Sequence, residues 1–137
     1  MEAINIWSGS SHPIGAVLTN PTELAYRKGK LKHHYPILFE DVTYVDAEAA
    51  YQAYKMNELE QDMTIMISVI IAKLNQYPQI VDAIVSEALV EDRAGGENWL
   101  KSCNHRVTGK SRWEGNGVNS KFIVCLVQAY QIVTLTK

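Results

Sequence analysis

PILFEDVTYVDAEAAYQAYK, residues 36–55, contains the change of period on which the fold turns. Two runs rich in β-branched and aromatic residues, ILF and VTYV, flank the polar pair Glu40-Asp41. That pattern reads as two strands joined by a turn. After Val45 the alternation stops. Asp46 is a favoured N-cap type, because its carboxylate accepts from an unpaired N–H of a first helical turn. AEAAYQAYK then predicts a helix over 47–58.

Working outward, the upstream segments read as extended. INIW predicts a short strand over 4–7, followed by a Ser/Gly turn. GAVLTNP predicts another extended piece closed by Asn20-Pro21. Downstream the pattern is helical. MTIMISVIIAKL is apolar nearly all round and predicts a central buried helix. Pro78 stops or restarts it, and QIVDAIVSEAL predicts a further helix. RAGGENWLKSC reads as a loop with one helical turn, and RVTGKSRWEGNG as irregular. A last amphipathic helix is expected over 120–133, capped by Asn119 or Ser120. N-terminal antiparallel strands followed by a mainly helical C-terminal part make the expected class α+β.

Composition sets outer bounds. A chain of 137 residues is expected to form one domain, 1–137, able to bury a core without disulfides or metal. At 47% hydrophobic and 20% charged it has a globular composition. A net charge of −2 argues against general nucleic-acid binding. The two cysteines, Cys103 and Cys125, fit a reducing compartment rather than a disulfide scaffold. No signal peptide is read at the start, and the longest apolar run is too short to span a bilayer. The expected location is the cytoplasm, with no membrane partner.

Three segments carry candidate chemistry. On the helix after Asp46, Glu48, Gln52 and Lys55 are spaced to share one side. They form either a solvated face or a recognition face in which Glu48 orients ribose hydroxyls or moves a proton. In RKGKLKHH, residues 27–34, four Lys/Arg and two His fall within eight positions. This is either a solvated hairpin or a phosphate clamp using Arg27 and Lys28. In NHRVTGKSRWEGNGVNSKF, Arg106 and Arg112 suit phosphates and Trp113 offers a face for a base. Gly115 and Gly117 permit a tight approach, with Asn119 supplying an amide. The bland alternative is a helix start with a core tryptophan. Cys103 and His105 with His33-His34 lack a standard zinc spacing. No cofactor and no metal are expected.

Residues quoted from most of the chain carry a family likeness. IWSGSSHPIGAVLTNPTE, YPILFEDVTYVDAEAAYQAYK, WLKSCNHR and WEGNGVNSKFIVCLVQAY resemble the small NADAR (YbiA-like) proteins. That family has an "LSN" segment, an "S-x-E-H-x-Y/F-Q-x-x-K" helix and a "W-G-x-G" turn before a last helix. Glu48, Gln52 and Lys55 match its helix motif, and Asn20 matches its asparagine. Trp113, Gly115, Gly117 and Asn119 fall on its turn, and Trp99 of WLKSCNHR joins the implied binding set. Three departures stand out: Ala49 replaces the family's histidine, residues 21–34 form an insertion, and WEG replaces WG. They bear on hydrolysis more than on ligand type.

The chain also resembles small phage and prophage proteins such as the Thoeris anti-defence sponges. That likeness implies a homo-oligomer that sequesters an NAD-derived cyclic ADP-ribose signal, with cyclic oligonucleotides as further ligands, in a bacterial host cytoplasm. The NADAR likeness implies instead an N-glycosidase acting on an ADP-ribosyl or riboflavin-precursor substrate, with Glu48 as its catalyst. Both imply a small nucleotide ligand of ADP-ribose type. A third class stays open, a non-enzymatic interaction module whose basic segment docks on an acidic surface.

Overall fold

The computed structural model describes residues 3–135, so the outer two residues at each end of the expected 1–137 span lie outside it. The fold is α+β, with two small antiparallel strand pairs and a mainly helical remainder.

Strand β1 (Ile37–Phe39) pairs with β2 (Val42–Tyr44) in the register Ile37↔Tyr44, Leu38↔Thr43, Phe39↔Val42. The turn falls on Glu40 and Asp41, as expected, and both have positive φ, 51° and 64°. Two left-handed residues in a two-residue loop twist the chain in the sense the strands need. The outer edge of β1 is closed by one side chain. Gln76 Oε1 accepts from the Leu38 N–H at 2.9 Å, and its Nε2 donates to the Leu38 carbonyl at 2.8 Å.

Asp46 caps helix α3 (Ala47–Tyr54) through the Ala49 N–H at 2.9 Å. Its second oxygen accepts from the Glu23 N–H at 3.0 Å, in the first turn of another helix, α2 (Thr22–Arg27). One buried carboxylate thus ties two helix starts together. Helix α3 ends at Tyr54, four residues before the expected limit. Asn57 is left-handed, with φ 61°, and Glu58 accepts from the Gln61 N–H at 3.0 Å, so it caps the next helix instead.

That next helix, α4 (Leu59–Gln76), is central as expected, but it is not buried all round. Met66, Val69, Ile70 and Leu74 face the core, while Thr64 and Ser68 are exposed. Helix α5 (Pro78–Val90) begins at Pro78, where the missing N–H is harmless. Residues 96–101 form a full short helix, α6 (Gly96–Lys101), rather than one turn within a loop. Helix α7 (Lys121–Leu135) lies along α4, and Ser120 Oγ caps it through the Ile123 N–H at 3.2 Å.

Three upstream expectations need correction. Residues 4–7 form no strand of their own. Asn5 makes a single parallel bridge to Asn104, through Ile6 N–H to Asn104 O at 2.8 Å and Asn104 N–H to Ile4 O at 2.9 Å. GAVLTNP is not extended. Its first half lies in α1 (Pro13–Leu18), started by Pro13 and buried from Ile14 to Leu18. Burial of a short apolar helix outweighs weak local strand propensity. The basic segment is not a hairpin either. Arg27 ends α2, and His34 folds back to pair with Glu23 Oε1 at 2.7 Å and to lie 4.0 Å from the Tyr26 ring. Strands β3 (Asn104–His105) and β4 (Gly115–Asn116) form the second pair, and a 3-10 turn over Gly117–Asn119 leads into α7. No helix among the described residues is long and apolar enough to cross a membrane.

Candidate ligand-binding cleft

A cleft of about 420 Å³ opens where the α1–α2 turn, α3, α4 and the 105–114 loop meet. Each wall follows from local sequence. The double cap by Asp46 sets α3 beside the 19–22 turn, and the Glu48 N–H donates to the Asn20 carbonyl at 3.2 Å. Glu48 and Gln52, one helical turn apart, then face the cleft with Asn20 opposite. Gln52 Nε2 donates to Glu48 Oε2 at 2.6 Å. Burial raises the Glu48 carboxyl above its ordinary range. The Gln52 amide works against that, the nearby Asp46 charge adds to it, and Lys55 and the Asn20 amide lower it again.

Asn20 is 4% exposed, and its Nδ2 donates to the soft Met66 Sδ at 3.0 Å. Its Oδ1 is buried without a partner. An unmade hydrogen bond of this kind costs about 1–3 kcal/mol, so the oxygen is a ready acceptor for a ligand hydroxyl or N–H.

The apolar walls are Leu24, Met66, Phe122 and Trp113. Trp113 is half-buried and meets the Tyr51 ring edge-on at 5.8 Å. The ring is shared, one part packing on the core and another lining the cleft. Arg112 holds it from behind. The guanidinium carbon sits 5.4 Å from the Trp113 ring centre, and Nη2 donates to Asp62 Oδ2 at 2.6 Å.

The loop over 107–111 wraps around one carboxylate. Glu114 accepts from the backbone N–H groups of Val107, Thr108, Gly109 and Ser111, at 2.6 to 3.3 Å, and from the Thr108 hydroxyl at 3.1 Å. Against its own desolvation, these donors pull the Glu114 carboxyl down to about 2. Converging backbone N–H groups make an anion-binding concavity, and here the chain's own acid fills it.

The residues picked from sequence separate into two groups. Asn20, Glu48, Gln52 and Trp113 come together on the cleft. The others do not line it. Trp99 is 1% exposed in the core, with Nε1–H donating to Glu91 Oε2 at 2.7 Å. Arg106 Nε donates to Asn116 Oδ1 at 2.7 Å, and Arg112 is bound to Asp62. Lys55 caps the end of α3 and is exposed, as are Arg27, Lys28 and Asn119. Gly117 has φ 54°, and a Cβ there would meet the Lys101 carbonyl at 2.8 Å. Burial pushes the Cys103 thiol up to about 12, so it is no nucleophile at neutral pH.

Sequence reasoning missed several lining residues. His105 turns Nδ1 to the Ile6 carbonyl at 2.7 Å, and burial lowers its pKa, leaving a neutral ring against the cleft. No site role is read in the sequence for Ser8, Leu24, Met66 or Phe122; only the folding of distant segments brings them here. A second cleft, about 390 Å³ between α1, α5 and the 31–35 loop, contains none of the residues picked from sequence. Comparison with protein-family models, curated proteins and solved structures yields no match.

Proposed function

We propose that the cleft binds an N-ribosyl nucleotide of the ADP-ribose type, and that the chain acts by holding such a signal rather than by consuming it. The observation that carries this reading is the meeting of Asn20, Glu48, Gln52 and Trp113 from three separate segments on one cleft. A carboxylate and two amides, one of them with an unpartnered buried oxygen, suit ribose hydroxyls. The flat indole on the apolar side suits a base, and stacking there contributes about 1–3 kcal/mol. The cleft volume lies toward the small end of the range for ligand pockets, roughly 300–1,000 Å³. That favours one nucleoside unit inside, with the rest of the ligand outside. The sponge role suggested by family likeness needs only this binding step.

A second reading, N-glycoside hydrolysis, is favoured by the position of Glu48 on the cleft, where burial raises its carboxyl above the ordinary range. A carboxyl that keeps its proton nearer neutral pH is suited to general acid work.

Incubation with ADP-ribose and cyclic ADP-ribose, followed by denaturation and chromatography, tests both readings. Recovery of intact ligand bound at one equivalent is expected. Cleaved ligand supports the second reading, and Glu48→Gln should then lower turnover by about 10²–10⁴-fold while keeping binding. Calorimetry showing no binding of either compound overturns both.

A further inference from the structure

The cleft that is proposed to hold a ribosyl unit has no place inside it for a phosphate. Its lining includes two carboxylates, Glu48 and Glu114, and no lysine or arginine. The backbone concavity of the 107–111 loop is filled by Glu114, Arg112 is bound to Asp62, and Arg106 is bound to Asn116. The two arginines of the 106–112 segment, which suit phosphates in the sequence, are thus committed elsewhere.

Lys28 stands near the edge of the cleft. Leu24 lines the cleft, and Lys28, four residues on, is the C-cap of α2, its N–H donating to the Leu24 carbonyl. Lys28 Nζ donates to Ser8 Oγ at 2.7 Å, and Ser8 itself lines the cleft. The same ammonium sits 4.9 Å from the Trp7 ring centre. A hydroxyl and an aromatic face therefore fix its position, and among the described residues no carboxylate pairs with it.

We propose that Lys28, set in place by Ser8 and Trp7, is the phosphate subsite of the cleft, so that a nucleotide enters with its ribose inward and its phosphate at the rim. This rests on the binding reading above and adds an orientation to it. An ammonium acts as a point charge and accepts a phosphate without fixed geometry. At the rim its attraction is screened by salt. The ligand class is a 5′-phosphorylated nucleoside, in which one further phosphate extends into solvent.

The test compares adenosine, AMP and ADP by calorimetry on the whole chain, at low and high salt. AMP should bind about tenfold more tightly than adenosine, the lower end for a charged hydrogen bond, and the gain should shrink in high salt. Lys28→Met keeps the stem on Trp7 and should abolish the gain while leaving adenosine binding unchanged. Lys28→Arg should restore it, and Arg106→Ala should leave it intact. If adenosine binds and the phosphate gain is absent, survives in Lys28→Met or disappears in Arg106→Ala, the subsite is refuted and the cleft reading stands. If adenosine, AMP and ADP all fail to bind, the cleft reading falls as well.

Discussion

Arg112 and Asp62 show how one residue's neighbours decide its role. In sequence, Arg112 beside Trp113 reads as a phosphate ligand. In the fold it serves Asp62, which is wholly buried and also accepts from the Met56 N–H at 2.6 Å. Those two partners hold the Asp62 carboxyl below its ordinary range, with the Met56 bond the larger cause and desolvation opposing. Removing one member of such a pair leaves a buried charge uncompensated, which is worse than removing both. Arg112→Ala should therefore lower the melting temperature far more than Arg106→Ala does. Adding Asp62→Asn to Arg112→Ala should recover part of the loss. A double variant no better than the single one would assign the effect to lost packing on Trp113 rather than to charge. Because Arg112 backs the indole, its loss should weaken ligand binding through Trp113 without any phosphate dependence. Glu114 is tied to pH in the opposite sense from Glu48. Its folded pKa is lowered, so its stabilisation is present above about 4.5 and is lost as pH falls toward about 2.

At the scale of elements, turns and caps set the boundaries. The β1–β2 hairpin uses Glu40 and Asp41 where both φ values are positive. Left-handed residues cost roughly 1–2 kcal/mol each relative to glycine-like freedom, less for Asp. Replacing the pair with Asn-Gly should raise stability by about 1 kcal/mol, since that pair is the favoured one for this turn. Thermal melting of the double variant checks it. A melting temperature unchanged or lower would mean that the Gln76 bonds to Leu38, not the turn, hold the hairpin. Helix lengths follow the same logic. Glu58 starts α4 because its carboxylate reaches the Gln61 N–H, a choice that the alternation of apolar residues does not reveal.

Across the whole molecule, one buried lysine joins the core to the cleft. Lys73 lies on α4, 2% exposed, and Nζ donates to the Thr19 carbonyl at 2.6 Å, next to Asn20. Burial pulls its pKa down to about 7, with the Asp46 charge opposing. The unfolded chain keeps the ordinary value of 10.5 and so binds the proton more strongly in between. Stability from this group is full above pH 10.5 and declines as pH falls toward about 7. Urea unfolding at pH 7 and pH 10 should therefore show wild type gaining stability relative to Lys73→Met as pH rises. A constant difference between the two would dismiss a neutral buried lysine.

The sequence by itself determined the α+β class, the turn at Glu40-Asp41, the Asp46 cap, the helix restart at Pro78 and a cap at Asn119 or Ser120, of which the fold uses Ser120. These depend on contacts within a few residues, which a local pattern specifies. Asn20, Glu48, Gln52 and Trp113, picked from sequence by residue type and spacing, do come together on one cleft. Only the tertiary structure decided the rest. It made a helix of 13–18 by burying it, placed Trp99 in the core, and set Arg106 and Arg112 on partners of their own. It also brought Ser8, Met66, His105 and Phe122 to the same cleft. Those outcomes depend on contacts between residues far apart in sequence, where burial and the need to satisfy buried charges override local preference.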